Sequence, residues 1–134
     1  MVFASTVTGN GTTGGVPTSL DFIGPTINVT VAGQSQKVFA IASKALGSNM
    51  AGGAKSLTLF MCYRSASTGS IGTIGSAMLG LSVGQSQRIP FSLNAVVSGL
   101  QAGTYAFGLC GYAGVEAANW NSNEFGYVSA MVLN

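Results

Sequence analysis

The two β-strand candidates nearest the C-terminus, residues 103–112 and 125–133, have no polar face. In the first, Tyr105, Phe107 and Leu109 alternate with Thr, Ala, Gly and Cys, and the second alternates mostly large apolar residues with Gly, Val and Ala. A strand with one face in water alternates apolar with polar residues, so these strands are predicted to be buried on both sides. In an antiparallel protein of this size, another subunit can supply the second cover. The pattern therefore predicts a sheet that packs against copies of itself.

Short strands and tight turns account for most of the chain. The 134 residues include 20 Gly, abundant Ser, Thr, Ala and Val, and only three Pro, and no segment keeps a helical period over three turns. The eight strand candidates are residues 19–23, 26–32, 36–44, 57–64, 77–83, 88–97, 103–112 and 125–133. Short strands with Gly-rich breaks predict an all-β, two-sheet jelly-roll sandwich, and a sheet packed around a symmetry axis favours a homotrimer over a dimer.

The start of the chain has a different composition. Residues 8–15 read Thr-Gly-Asn-Gly-Thr-Thr-Gly-Gly, which is typical of a flexible arm. We therefore expect a flexible arm over residues 1–15 and a single jelly-roll domain over residues 16–134.

Charged side chains are scarce. Five Lys or Arg, three Asp or Glu and no His make up 6% of the chain, against about 25% in a typical soluble domain. Chemistry that depends on His or on a cluster of metal ligands has few residues to use, so we expect no enzyme activity, no cofactor and no metal site. The cations form no basic stripe, and no apolar run reaches the roughly 18 to 20 residues of a membrane-spanning helix. We expect neither a nucleic-acid partner nor membrane insertion, and an extracellular position, or one on a cell or virion surface, is favoured.

Cys62 and Cys110 lie in separate strand candidates. The favoured interpretation is two buried small apolar residues, because unpaired Cys is among the most buried residue types. The alternative is a disulfide, which requires the two strands to be neighbours with Cα atoms roughly 4.4 to 6.8 Å apart. Without His and without CxxC spacing, the two thiols indicate neither a zinc site nor a redox motif.

Arg88, with Ser86 and Gln85 just before it, is the first candidate binding residue. A guanidinium is planar and rich in donors, so it can make two parallel hydrogen bonds to vicinal hydroxyls or to a carboxylate. The alternative is a structural arginine paired across a subunit interface with Glu116 or Glu124. Because charges are so few, some acceptor must lie near a partly buried Arg88.

The second candidate is the predicted loop around Trp120, the only Trp of the chain. Its ring can stack on a sugar ring while the amides of Asn121 and Asn123 hydrogen-bond the hydroxyls. The alternative is that Trp120 closes one end of the barrel and the Asn residues serve the turn. Tyr63 and Arg64, which end a strand before a long loop, form a third and weaker polar-aromatic pair.

Three stretches of the chain resemble a known family. They are residues 20–31 (Leu-Asp-Phe-Ile-Gly-Pro-Thr-Ile-Asn-Val-Thr-Val), 88–93 (Arg-Ile-Pro-Phe-Ser-Leu) and 127–131 (Tyr-Val-Ser-Ala-Met). In this order they look like the fucose-binding, tumour-necrosis-factor-like N-terminal domain of bacterial superlectins. The resemblance implies a compact trimer that binds fucosylated glycans in clefts between subunits, without metal. It also implies that Arg88 and Ser86 occupy the positions of the family's cleft Arg and of a hydroxyl residue just ahead of it.

Two hypotheses for the function follow. The first is a lectin-like trimer that binds neutral glycans, fucosylated ones included, in inter-subunit clefts without catalysis. Its predicted ligand-binding residues are Arg88, Ser86, Gln85, Trp120, Asn121, Asn123, Tyr63 and Arg64. The alternative is a structural trimeric knob of a spore coat, phage spike or capsid, in which the same residues only pack or face the solvent.

Overall fold

A computed structural model describes residues 3–12 and 14–134 of the chain. This part of the chain contains nine β-strands and one short 3-10 helix, Gly114–Asn119, and it includes no helix long and apolar enough to cross a membrane. The strands are β1 (Phe3–Gly11), β2 (Asp21–Phe22), β3 (Ile27–Val31), β4 (Lys37–Ser48), β5 (Ala54–Ser65), β6 (Ile71–Val83), β7 (Gln87–Ser98), β8 (Gly103–Tyr112) and β9 (Gly126–Leu133). The prediction of an all-β protein is confirmed.

The strands form two antiparallel sheets. Sheet A has the order β1-β9-β4-β7, and sheet B has the order β2-β8-β5-β6, with β3 also paired to β8. Strands that follow one another along the chain repeatedly change sheet, as β3, β4 and β5 do, which is the connectivity of a jelly roll. All eight predicted strands are present, and β8 has the predicted bounds.

Residues 3–11, predicted as part of a flexible arm over residues 1–15, form β1 instead. This strand pairs antiparallel with β9 from end to end. The hydrogen bonds that pair two strands come from the main chain, so they form whatever the side chains are. At Gly9 a side chain would not fit, because a Cβ there would lie 2.9 Å from Ile27 Cγ2. The Gly-rich composition concealed this pairing, so the predicted arm was wrong over residues 3–11. Residues 1, 2 and 13 of that arm lie outside the described residues.

The core lies between the two sheets and is almost entirely apolar. Alternate residues of each strand point into it, as the alternation of buried and exposed positions along β3 and β9 indicates. The largest apolar side chains that are fully buried are Phe107, Ile23, Leu46, Leu57, Leu59, Met61, Leu109, Val29, Val31, Val38 and Val128.

Strand β8 is buried on both sides, as its sequence predicted, but the second cover comes from the same chain. A Cβ at Gly108 would lie 2.8 Å from the main-chain oxygen of Pro25 and 3.3 Å from the ring of Phe22. The segment between β2 and β3 therefore closes over β8. A neighbouring subunit, the cover that the sequence favoured, is not needed at this strand.

Cys62 in β5 and Cys110 in β8 form a disulfide, with their Cα atoms 5.8 Å apart. The two strands are direct neighbours, and Cys62 lies opposite Gly108. The favoured interpretation of two unpaired thiols was therefore wrong. The pairing of β5 with β8 decides between the two interpretations, and that pairing is a property of the fold rather than of the local sequence.

Lys44 is a charged residue in the interior, with only 2% of its surface exposed. It points inward from β4, and its ammonium donates hydrogen bonds to the main-chain oxygens of Gly14 (2.5 Å) and Ile23 (2.9 Å). Gly24 and Gly126 lie beside its methylene stem, where Cβ atoms would make ordinary van der Waals contacts of 3.6 and 3.4 Å with Lys44 Cδ. Burial lowers the pKa of Lys44. One side chain thus holds the segment after β1 and the segment after β2 against β4.

We expect Lys44→Met to lower the free energy of unfolding by about 1–3 kcal/mol, because a thioether cannot donate to the buried main-chain oxygens of Gly14 and Ile23. Chemical denaturation measures the change. Lys37→Met is the matched control, since Lys37 is exposed on the same strand, and it should change the stability by less than about 0.5 kcal/mol. Equal losses in the two variants would contradict the role given to Lys44.

The same variant has a second readout in its pH dependence. Because the pKa of Lys44 is lower in the folded protein than its usual 10.5, the unfolded chain binds more protons in the alkaline range just below that value. The stability of the wild type should therefore gain a contribution that rises with pH in this range. Lys44→Met removes the contribution, so its free energy of unfolding should rise less steeply than that of Lys37→Met. Parallel curves would contradict a shifted lysine at this position.

Candidate functional site

Arg88, the first candidate binding residue, is held by the loop that precedes β9. Its Nη1 donates to Glu124 Oε1 (2.8 Å), while Nε and Nη2 donate to the main-chain oxygen (3.0 Å) and to Oγ (2.8 Å) of Ser122. The alternative interpretation named Glu124 as one possible partner, and this ion pair is present, but it forms within one chain and not across a subunit interface. Three of the five guanidinium N–H groups serve these bonds, and the side chain is 40% exposed.

The loop of residues 121–124 lies along the end of β4. The main-chain amide of Ser122 donates to the main-chain oxygen of Gly47 (3.1 Å). A Cβ at Gly47 would lie 2.2 Å from the main-chain oxygen of Gln87 and 2.9 Å from that of Ser122, so only Gly fits between β7 and the loop. Arg88, next to Gln87, closes this contact from the β7 side.

Asn121 and Asn123 hydrogen-bond the main chain at and just after the end of β4, and the main chain of their own loop. Asn121 Oδ1 accepts from the amide of Asn49 (2.8 Å), and Asn123 Oδ1 accepts from the amide of Gly47 (3.2 Å). Asn123 Nδ2 donates to the main-chain oxygen of Trp120 (2.9 Å). The interpretation in which the Asn residues serve the turn thus accounts for both side-chain oxygens.

Trp120 is buried, with 3% of its surface exposed. Its Nε1 donates to the main-chain oxygen of Lys55 (3.1 Å), and its ring lies edge-on to Phe91 with ring centroids 6.2 Å apart. The alternative interpretation of Trp120 as a residue that closes the core is therefore correct. In this position the ring cannot stack on a sugar, which corrects its assignment as a ligand-binding residue.

Ser86 and Gln85 lie in the tight turn between β6 and β7. The main-chain amide of Gly84 donates to Gln87 Oε1 (2.8 Å) across this turn, and Ser86 has a positive φ of 59°. Both side chains are exposed, and neither hydrogen-bonds to Arg88 or to another residue that the structure describes. The three residues are therefore neighbours in sequence without forming one hydrogen-bonded cluster.

Tyr63 and Arg64, adjacent on β5, point to opposite sides of sheet B. The Tyr63 ring packs against Tyr105 and Phe107, with centroid distances of 5.8 and 5.9 Å. The Arg64 guanidinium lies over the ring of Phe22, 5.2 Å from its centroid. The predicted pair is therefore divided between two surroundings, and only Tyr63 faces the cleft described below.

Every side-chain carboxylate of the chain is paired with a cation. The pairs are Arg64 with Asp21 (3.2 Å), Arg88 with Glu124 (2.8 Å) and Lys55 with Glu116 (3.9 Å). These pairs use three of the five cations, so the net charge of +2 comes from Lys37 and the interior Lys44. The three ion pairs thus lie near loops and strand ends, and the middle of the outer side of sheet A carries no charge.

The outer side of sheet A is uncharged in its middle, although the exposed Lys37, paired with Leu133 and Ser98, lies on the same side in the row at the start of β4. Its side chains form three rows, which the register of the strands defines: Thr6, Met131, Phe39 and Val96; then Thr8, Ser129, Ile41 and Asn94; then Asn10, Tyr127, Ser43 and Ser92. We name these twelve residues the sheet A face. Tyr127, Val96 and Ile41 are 58%, 54% and 44% exposed. Large apolar side chains of this face therefore contact water when the chain is alone.

A cleft of about 720 Å³ lies at one end of the sandwich, between the loop after β5 and the loop after β7. It is lined by Tyr63, Ser65, Ala66, Ser67, Thr68, Gly99, Leu100, Gln101, Ala102, Gly103, Thr104 and Tyr105. We name it the loop cleft, and none of these lining residues is charged. The sequence showed only two turn-like stretches rich in hydroxyl residues, because the pairing that brings the two loops together is set by the fold.

Comparison with known proteins bears on the fold alone. No protein-family model matches the chain, and no curated protein sequence matches it either. Among solved structures, the globular domain of zebrafish complement 1qA protein has a TM-score of 0.51 and 15% identity, with 98% of this chain and 94% of that chain covered. The fold is a tumour-necrosis-factor-like jelly roll. At this identity the likeness does not extend to function, so fucose binding by this jelly roll stays a prediction.

We expect Arg88→Ala to loosen residues 121–124 of the jelly roll, because three hydrogen bonds to Ser122 and Glu124 are lost. The free energy of unfolding should fall by about 1 kcal/mol, since the side chain is partly exposed. Hydrogen–deuterium exchange should become faster at the amides of Ser122 and Glu124, which donate to main-chain oxygens of β4.

Arg64→Ala is the matched control for this experiment. Arg64 also has a partly exposed ion pair, but its partner is Asp21 at the start of β2. Exchange at Ser122 and Glu124 should therefore match the wild type in Arg64→Ala. If Arg88→Ala also left those two amides unchanged, Arg88 would not be the residue that holds the loop.

Proposed function

We propose that this chain is a head module that assembles as a homotrimer through the sheet A face. The observation that carries the proposal is a set of twelve side chains on four adjacent strands without a single charge. Covering this face removes Tyr127, Val96 and Ile41 from water, and buried apolar surface contributes about 25 cal/mol per Å². Apolar patches of this kind on a single chain are typical of interaction sites.

The partner that suits this face best is another copy of the chain. A strongly charged partner would lose hydration without gaining an ion pair, because the sheet A face offers none. The chain itself has only 6% charged residues, so its other surfaces are comparably neutral. Hydroxyl groups such as those of Thr6, Thr8 and Ser129 can hydrogen-bond within such a mixed interface.

A trimer is favoured over a dimer because the chain offers a second, partly apolar patch, which adjoins the sheet A face and shares Asn94 and Val96 with it. The open edge of the sandwich between β6 and β7 contains a gap of about 270 Å³, around which lie Met61, Ile74, Leu93 and Val96. Packing this edge of one subunit against the sheet A face of the next is a heterologous contact, and a heterologous contact forms a three-membered ring when the rotation between subunits closes after three copies. A two-fold dimer would instead use one surface twice.

The disulfide supports a location outside a reducing cytosol, since disulfides form and persist in oxidising compartments and on cell or virion surfaces. Arg88, Asn121, Asn123 and Trp120 all hold parts of the fold. Because these side chains are used by contacts within the fold, they favour the function of a trimeric knob of a coat, spike or capsid over that of a lectin whose glycan site is built from these residues.

Recognition of neutral glycans is our second candidate function. The observation that favours it is the loop cleft, which combines hydroxyl and amide groups with two Tyr side chains and has no charged lining residue. A trimer would present three such clefts, and several weak sites that act together bind a multivalent surface more tightly than one.

We expect light scattering to give the wild type a mass of three chains of 13.4 kDa. Ile41→Asp should lower this mass to that of one chain, because a carboxylate in the middle of the sheet A face would be buried without a partner. The circular dichroism spectrum should keep its β-sheet form, since Ile41 points away from the core and is 44% exposed.

Val115→Asp is the matched control, because Val115 is fully exposed on the 3-10 helix rather than on sheet A. This variant should keep the trimer mass. A wild type that is monomeric at micromolar concentration, or an Ile41→Asp protein that stays trimeric, would refute assembly through the sheet A face.

A further inference from the structure

The loop cleft contains polar groups that the fold itself does not use. Gln101 is exposed, and its side-chain amide makes no hydrogen bond with a described residue. The hydroxyl of Tyr63 is likewise without a hydrogen bond inside the described ranges. Ser67 and Thr68 add hydroxyl groups from the opposite loop. These two hydroxyls, unlike the Gln101 amide and the Tyr63 hydroxyl, also hydrogen-bond within their loop, to Ser65 Oγ (3.0 Å) and to the amide of Ser70 (3.3 Å). Amides and hydroxyls offer donors and acceptors without charge, which is what the hydroxyl groups of a ligand require.

The two loops that form the cleft are held in place before any ligand binds. Tyr105 Oη donates to the main-chain oxygen of Gln101 (2.8 Å), which ties the loop after β7 to β8. The amide of Ala66 donates to the main-chain oxygen of Thr104 (3.0 Å), which ties the loop after β5 to the same strand. Because both walls are attached to β8, less conformational entropy is lost when a ligand binds.

The floor of the cleft is fixed as well. Tyr63 packs edge-on against Tyr105 at 5.8 Å, and a Cβ at Gly72 would lie 2.7 Å from the Tyr63 ring, so this Gly leaves room for the ring. The preceding residue, Cys62, joins β5 to β8 through its disulfide with Cys110. The Tyr63 hydroxyl is therefore presented from a rigid part of the sandwich.

The chemistry of the lining selects the class of ligand. No lining residue is charged, so an anionic or cationic group would lose hydration without meeting an opposite charge. The aromatic rings and short aliphatic side chains suit the apolar faces of a ring, and the amide and hydroxyls suit its polar edges. The volume of about 720 Å³ lies within the range of about 300–1,000 Å³ that is typical of small-ligand sites.

We infer that the loop cleft binds the neutral, hydroxyl-rich end of a glycan, with Gln101 and Tyr63 as its hydrogen-bonding residues. The inference rests on the proposed recognition of neutral glycans and assigns that recognition a site. The site is separate from Arg88, because Arg88 and Ser98 lie near opposite ends of β7, roughly 33 Å apart at about 3.3 Å per residue. Gln101 follows the far end of that strand.

The experiment starts with a glycan array of fucosylated, mannosylated, galactosylated and sialylated structures, probed with the wild-type protein. The neutral glycan with the strongest signal is then titrated calorimetrically into the wild type and into Gln101→Ala, Tyr63→Phe, Gln85→Ala and Arg88→Ala. Gln101→Ala and Gln85→Ala form a matched pair, since each removes one exposed Gln amide beyond opposite ends of β7.

We expect the dissociation constant to rise at least about tenfold in Gln101→Ala, which corresponds to about 1.4 kcal/mol. Tyr63→Phe, which removes only a hydroxyl, should weaken binding in the same direction, while Gln85→Ala and Arg88→Ala should bind like the wild type. Circular dichroism and light scattering should show each variant folded and assembled as the wild type is.

Two kinds of negative result have different meanings. Wild-type affinity in Gln101→Ala would overturn the assigned site, and a loss of affinity in Arg88→Ala at the same time would move glycan recognition back to the Arg88 loop. If the wild type bound no neutral glycan above background, or bound only sialylated ones, both the site and the proposed glycan recognition would be refuted.

Discussion

The positions of the few charged side chains determine which part of the surface of this jelly roll is left neutral and apolar. Each side-chain carboxylate is held by a cation near a loop or a strand end, and Lys44 turns inward to main-chain oxygens. Lys37 lies at the start of β4, on the outer side of sheet A but in the row beyond the twelve residues of the sheet A face. The middle of sheet A is therefore left to neutral side chains, among them large apolar ones. In our account another subunit covers this face, so the inner side of sheet A serves the core and its outer side serves assembly.

Two internal ties let a Gly-rich chain form this sandwich. Lys44 joins the segments around Gly14 and Ile23 to β4 through hydrogen bonds from its ammonium to their main-chain oxygens. The disulfide between Cys62 and Cys110 joins β5 to β8 on the other sheet. Neither the Lys44 hydrogen bonds nor the disulfide involves the loops that carry Arg88's partners and the loop cleft. At one end Arg88 fastens its loop to the fold, and at the other end the loop cleft keeps polar groups that the fold does not use.

Local sequence predicted those features whose cause is local. The bounds of β8 followed from alternation, because Tyr105, Phe107 and Leu109 mark one face of a strand wherever it lies. β1 was missed because main-chain pairing with β9 does not depend on the Gly and Thr side chains that suggested an arm. The disulfide, the ion pair of Arg88 with Glu124 and the loop cleft each depend on which strands become neighbours, and residue types alone leave that choice open. The resemblance to the superlectin domain predicted the tumour-necrosis-factor-like fold, and the likeness to the complement domain supports that prediction.

Hydroxyl-radical footprinting of the wild-type protein tests the burial of the sheet A face most directly. Tyr127 lies on that face and is 58% exposed in the single chain, whereas Tyr112 lies on β8 and is 36% exposed. If subunits cover the face, mass spectrometry will find Tyr127 modified more slowly than Tyr112, against the order of exposure in one chain. Faster modification of Tyr127 than of Tyr112 would contradict an assembly built on this face.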